Sequence, residues 1–178
     1  MWTAIPDEFP RLQGRGLVLR EMGTEDLPAW LERRQDTEAA ALAGDPPVSS
    51  LAELSEGLEH HRQAFRRKEG LRWAIVPAGS SRSIGSIGLL GFDAGSASAE
   101  IGAVIGRDHW SHGIATRAAR LVIGFAFDHL ELKSVGAGVR PDNARAIRVL
   151  EKLGFVREGG AGDGMIRFRL SRLKDPTR

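Results

Sequence analysis

The spacing of apolar residues divides the chain into elements of changing period. Gly16–Glu21 reads as a short strand. Thr24 is then placed as the N-cap of a first helix, with Glu25 and Asp26 in its first turn, Pro28 close behind, and Leu27, Trp30 and Leu31 as its apolar stripe. Gly44–Pro47 reads as a loop. Ser50 is placed as the cap of a second helix, Leu51–Arg67, with Leu51, Leu54, Leu58 and Phe65 on one side. Arg72–Val76 is a strand, ended by Pro77 and a turn at Gly79–Ser81. Ser83–Phe92 and Ala99–Ile105 are two more, joined by Asp93–Ser96, and together they predict a consecutive antiparallel meander. The period then becomes helical. Ile114, Ala118, Leu121, Val122 and Phe125 predict a helix over Gly113–Asp128. Ser134–Arg140 alternates Val135, Ala137 and Val139 as a half-buried strand, and Pro141–Asn143 punctuates it. A last helix carries Ile147, Leu150 and Leu153 inward and stops at Gly154. Phe155–Val156 and Met165–Leu173 are the closing strands. The sum is α+β, a mostly antiparallel sheet with helices packed on it.

Length and composition narrow the classes of function. The 178 residues suit one domain, 1–178, with residues 1–12 as a flexible or extended arm, and 42% hydrophobic content supports one sizeable core. No cysteine is present, which removes disulfides, thiolate metal sites and a cysteine nucleophile. The net charge of +2, with both signs interspersed, is unlike a nucleic-acid-binding arm and is compatible with a small anionic ligand. Residues Met1–Pro10 have no apolar signal-peptide core, and the longest apolar stretch, Leu121–Phe127, is too short to span a bilayer. The expectation is a cytoplasmic protein with no nucleic-acid or membrane partner.

The segment Trp110–Thr116 lies where a strand hands over to a helix. Gly113 and Ala115 are small enough for backbone amides to approach an anion, and a helix N-terminus adds unpaired donors and partial positive charge. That combination suits a pyrophosphate, although an ordinary strand-to-helix turn needs the same glycine. Neither a Walker-type phosphate loop nor a dinucleotide G-x-G-x-x-G fingerprint is present. The pair His109 and His112 has no completing carboxylate set, and no metal is expected. His60 and His61 stand in a basic run with Arg62, Arg66, Arg67 and Lys68, most simply a solvated helix face. Trp73, Phe92 and Phe168 read as core.

Residues 99–118, A-E-I-G-A-V-I-G-R-D-H-W-S-H-G-I-A-T-R-A, resemble motif A of the GNAT acetyltransferases, and most closely the ribosomal-protein N-acetyltransferase (RimJ/RimL-like) subgroup. Residues 139–155, V-R-P-D-N-A-R-A-I-R-V-L-E-K-L-G-F, resemble motif B. Departures are Trp110 where the wider family has Gln or Arg, Arg117 where a Glu is usual, and Ala146 where motif B has Ser.

The resemblance implies a GNAT fold, its sheet splayed in the middle with helices on both faces, and acetyl-CoA as acyl donor in the cleft. Pantetheine would pair near Val104 and Ile105 and the pyrophosphate would rest on amides around His112, Gly113, Ile114 and Ala115. The hydroxyl of Thr116 and the side chain of Arg107 complete the cofactor set, with Asn143 beside the thiol. It further implies an N-acetyltransferase acting on a primary amine, either a protein N-terminus or a small molecule. Dimers are common among similar proteins.

Acetyl transfer to an amine requires a base for the ammonium, donors for the thioester oxygen and a tolerable leaving thiolate. Glu100, the glutamate of the E-I-G triplet, is the candidate base, and a solvated strand-end carboxylate is the alternative. Asn143 is a candidate to orient a carbonyl or water, and equally a helix N-cap. The family's frequent tyrosine acid is missing, because the chain has no tyrosine. A non-catalytic acyl-CoA-binding regulatory module is the competing reading. A nucleotide-binding enzyme using the glycine turn is a third, which the missing phosphate-loop lysine disfavours.

Overall fold

A computed structural model describes residues 2, 4–43, 48, 50–160 and 163–172. The loop expected at 44–47 and the end of the last strand at 173 lie outside the described residues. The strands are β1 (Leu12–Gly14), β2 (Leu17–Glu21), β3 (Gly70–Pro77), β4 (Gly85–Asp93), β5 (Ser98–Ile105), β6 (Ser134–Val139), β7 (Val156–Gly160) and β8 (Ile166–Ser171). The helices are α1 (Leu27–Gln35), α2 (Thr37–Ala43), α3 (Leu51–Arg66), α4 (Ile114–Asp128) and α5 (Ala144–Lys152).

The eight strands form one sheet in the order β1-β2-β3-β4-β5-β6-β8-β7. The meander β3-β4-β5 is antiparallel, as its alternation predicts. The single parallel pairing joins β5 to β6 and is short. Ser98, Ala99 and Glu100 pair with Ser134, Val135 and Gly136, and there the pairing stops. Beyond that point the two strands diverge.

The two faces of the sheet are covered by different helices. α4 buries Ala118, Val122, Phe125 and Ala126 against Trp73, Ile75, Ile87 and Leu89. α5 lays Ile147, Leu150 and Leu153 on the same core. On the opposite face, Leu27 of α1 and Leu54 and Leu58 of α3 pack on Ala74 and Val76. Trp73, Ile75 and Ile87 are 0% exposed, and fully burying each such side chain stabilises the fold by about 1.5–3 kcal/mol.

Ser50 caps α3 as its sequence suggests, accepting from the Glu53 amide at 3.3 Å. The start of α1 is a correction. Thr24 is not its cap. Thr24–Asp26 form a short 3₁₀ turn capped by Gly23, and α1 begins at Leu27. The physical reason is Asp26, 1% exposed, whose carboxylate turns inward to accept two bonds from Arg20, at 2.7 and 3.0 Å, and one from the Gly23 amide at 2.9 Å. Of the apolar residues expected on one side of α3, Leu54 and Leu58 are buried, while Leu51 in the first turn is 45% exposed. The N-terminal segment lies against the sheet: Trp2 Nε1 donates to Leu130 O at 3.0 Å, Trp73 Nε1 donates to Pro10 O at 2.6 Å, and Ile5 is buried.

Candidate active site

The divergence of β5 from β6 opens a cleft of about 650 Å³ that passes through the sheet. On the α4 and α5 side its wall includes Ile101, Ile105, Ile114, Ala119, Leu150 and Phe155. On the α1 and α3 side it includes Arg72, Gly102, Gly138, Met165 and two residues of α2, Ala39 and Leu42. Both faces of the sheet thus contribute walls to one cleft.

The turn leading into α4 is open at the cleft. Gly113 is the N-cap of α4 at φ +71°, a left-handed conformation that costs a side-chain-bearing residue about 1 kcal/mol. No side chain caps this helix, and a Cβ on Gly113 would meet nothing within 4 Å. The first amides of a fifteen-residue helix therefore face the cleft wall formed by Gly113, Ile114, Ala115 and Thr116. Trp110 braces the turn: its Nε1 donates to Ile105 O at 2.8 Å, and the Arg145 guanidinium lies 4.4 Å from its ring centroid.

The structure brings most of the candidate cofactor residues together. Val104, Ile105, Gly113, Ile114, Ala115, Thr116 and Asn143 all line the cleft. His112 is exposed and stands off the lining. Arg107 also stands off it. Its Nε donates to Asp36 Oδ2 at 2.8 Å and its Nη2 to Asp36 Oδ1 at 3.1 Å, and it pairs with Glu38 as well. Those bonds tie the turn after β5 to the start of α2, so Arg107 positions a wall of the cleft.

Asn143 performs its capping role: Oδ1 accepts from the Ala146 amide at 3.1 Å, and Nδ2 donates to Leu42 O at 3.4 Å. It thereby links α5 to α2 while facing the cleft.

Glu100 stands at the apex of the fork, paired through its backbone with Gly136, the last rung before β5 and β6 separate. It is half-buried. Burial pushes its carboxyl above the ordinary range, against the lowering influence of Arg167 and Arg169, while Glu158 adds to the rise. A raised, half-desolvated carboxylate is a better proton acceptor near neutral pH than a solvated one. It is not itself on the lining, and its carboxylate lies over Gly136 of β6.

Sequence reasoning missed α2, Arg72, and Arg145 with Lys152 on the cleft wall. A signal for α2 exists. Asp36 is followed by Thr-Glu-Ala-Ala-Ala-Leu-Ala, a capped alanine-rich turn, and Asp36 Oδ1 accepts from the Ala39 and Glu38 amides at 3.0 and 3.1 Å. Among the described residues no group of His, Asp and Glu is placed to hold a metal ion, and no helix is long and apolar enough to cross a membrane.

A splayed mixed sheet with an uncapped helix at the mouth of the splay defines the acyltransferase class. Residues 16–156 match the acetyltransferase (GNAT) domain model, and the chain belongs to that family. It is 30% identical over 151 residues to a Bacillus subtilis (strain 168) protein named as an uncharacterized N-acetyltransferase, YoaA, with 85% of each chain covered. It is 27% identical over 143 residues to the spermidine N(1)-acetyltransferase of Escherichia coli (strain K12), covering 79% of this chain and 73% of that one. Its fold matches Mycobacterium smegmatis RimJ in complex with CoA-disulfide at a TM-score of 0.81, with 22% identity and coverage of 99% and 92%.

Proposed function

We propose that this protein transfers an acetyl group from acetyl-CoA to a primary amine by direct attack within a ternary complex. The observation that carries the reading is the cleft that crosses the sheet, with the uncapped start of α4 at one mouth and Glu100 at the fork. The diphosphate of the donor would rest on the amides of Gly113, Ile114 and Ala115, where helix-terminal donors favour an anion. The basic wall residues Arg145 and Lys152 suit the same end of the donor. The pantetheine amides would pair with the edge of β5 at Val104 and Ile105, which β6 leaves unpaired, and Asn143 would hold the thioester end.

The acceptor enters from the α1 and α3 face. Glu100 takes a proton from its ammonium, directly or through a water, and the amine lone pair attacks the thioester carbonyl carbon. The C–N bond forms, the C–S bond breaks, and the sulfur leaves as thiolate. Free thiols have a pKa of about 8.5, so the thiolate departs acceptably without the tyrosine that this chain lacks. Proximity in the ternary complex supplies much of the acceleration. A cytoplasmic site of action follows from the donor, and the acceptor is a small molecule or a protein N-terminus.

Calorimetric titration with acetyl-CoA, followed by thiol release against amine acceptors, tests the reading. Micromolar binding with acceptor-dependent thiol release is expected. Binding without release for any amine would instead support a regulatory module, and no binding would remove the reading altogether.

A further inference from the structure

α2 bridges the open end of the fork. β5 and β6 run parallel, so both leave the fork at the same end, β5 toward Arg107 and β6 toward Asn143. α2 is tied to each of them. At its start, Asp36 accepts from Arg107 Nε at 2.8 Å and from Nη2 at 3.1 Å, and Glu38 pairs with the same guanidinium. At its far end, Leu42 O accepts from Asn143 Nδ2 at 3.4 Å. The 7 residues of this helix span about 10 Å, roughly twice the spacing of paired strands.

These ties matter because packing alone holds α2 weakly. A helix this short is marginal by itself. It packs on α1, and its buried residues Ala39 and Ala40 belong to neither of the hydrophobic clusters on the sheet. Asp36 serves as cap and tie together, since its Oδ1 also accepts from the Glu38 and Ala39 amides. The end of α1 is seated on the same turn after β5. Arg33 Nη1 donates to Ser83 O at 3.0 Å, and Arg33 Cδ lies 3.4 Å from where a Cβ on Gly106 would stand. The β5 end of α2 is therefore the anchored end, and the longer bond to Asn143 holds the other.

The geometry points to α2 as a strap across the acceptor side of the cleft, with Arg107 as the positioning residue that sets it. This inference rests on the acetyl-transfer reading above and adds the element that presents the acceptor. Ala39 and Leu42, one turn apart on α2, are cleft-wall residues, so moving α2 moves the wall. The Arg107 guanidinium also lies 5.6 Å from the ring centroid of Trp110, behind the donor turn. Trp110 keeps its bond to Ile105 O and its closer contact with Arg145 when Arg107 is removed. Loss of Arg107 thus frees the acceptor wall and leaves the donor turn braced.

The test uses Arg107→Gln, Arg107→Lys and Asp36→Asn. Asparagine caps a helix about as well as aspartate, so Asp36→Asn keeps the cap and weakens the tie. Thiol release is measured with the fastest acceptor from a panel of primary amines that includes spermidine, glycinamide and an alanyl tetrapeptide, and acetyl-CoA affinity is measured by calorimetry. Arg107→Gln and Asp36→Asn should each raise the acceptor KM about fivefold or more and keep acetyl-CoA affinity within about twofold of wild type. The double variant should be no worse than either single one, because both remove the same tie, and Arg107→Lys should recover part of the loss. Hydrogen exchange at the amides of Ala40, Ala41 and Leu42 should accelerate in Arg107→Gln while that of α4 is unchanged. An unchanged acceptor KM, unchanged exchange in α2 or a matching loss of acetyl-CoA affinity would each overturn the strap, while wild-type turnover left the acetyl-transfer reading standing. No thiol release by the wild-type protein with any amine of the panel would overturn both.

Discussion

The carboxylate of Glu100 occupies the space above Gly136 on the adjoining strand: a Cβ there would stand 2.0 Å from Oε1 and 2.7 Å from Cδ. The glycine and the glutamate are cross-strand partners at the rung where β5 and β6 part. The missing side chain at 136 is what allows the acid to lie across the fork.

Gly136→Ala should therefore act as a mutation of Glu100. The displaced atoms are the far end of a flexible side chain, so the fold should lose little, on the order of 1 kcal/mol. Turnover should fall at least about tenfold as the carboxylate swings away from its position. Thermal melting together with kcat checks the pair of outcomes, and a fully active Gly136→Ala variant would remove Glu100 from the chemistry.

Glu100→Gln should lower kcat by about a hundredfold or more with little change in acetyl-CoA affinity. In the wild-type enzyme kcat/KM should drop as pH falls through the raised pKa of this carboxyl, because protonation removes the base. The stability effect has the opposite sense. A carboxyl whose pKa rises on folding costs nothing below its unfolded value and costs more as pH rises through the folded one. At neutral pH the Gln variant should accordingly be no less stable than wild type, by chemical denaturation, while being slower.

Gly113→Glu places bulk and negative charge at the open N-terminus of α4 and should abolish acetyl-CoA binding. Gly113→Ala tests the backbone alone. At φ +71° it should cost about 1 kcal/mol of stability and leave most of the affinity. Wild-type affinity in Gly113→Glu, read by calorimetry, would falsify the role given to this turn.

Asp26→Asn should destabilise the fold by about 3 kcal/mol at pH 7, because Arg20 then faces a buried neutral group. Burial alone would raise the Asp26 carboxyl, but hydrogen bonds from Arg20 and Gly23 and the charge of Arg20 outweigh it and hold the carboxyl below its usual range. Its stabilisation is present above the unfolded pKa of about 3.9 and disappears as pH falls through the folded value. The difference between variant and wild type should shrink below pH 4 in urea titrations.

His61 should remain neutral down to about pH 4 in the folded protein. Its folded pKa lies below the unfolded one, so the native state loses stability as pH falls from about 6.5 toward that value. NMR titration of the ring resonances checks this, and a midpoint near 6 would contradict the burial of His61 against Trp30, whose ring centroid lies 5.8 Å away.

Much of this architecture is legible along the chain. The meander, the α4 stripe, the α5 amphipathic pattern and the Ser50 and Asn143 caps follow from local periodicity and short-range hydrogen bonding, which neighbouring residues settle among themselves. The glycine turn before α4 belongs to the same class, since φ +71° at Gly113 is a local demand. The start of α1 is less legible, because Asp26 answers to Arg20 on the preceding strand and not to its own helix.

The sequence by itself determined most of the elements, though not β1 or α2, together with the absence of thiol and phenol chemistry and the two segments that carry the cofactor-side turn and the last helix. Only the tertiary structure decided that β5 and β6 part after a single short parallel pairing, that Arg107 is drawn off to Asp36 and Glu38, and that Arg72 on β3 reaches the wall of the cleft. The physical reason is distance along the chain. A strand's alternation says which side chains share a face, but which strands adjoin, and where their pairing ends, depends on packing between residues far apart in sequence.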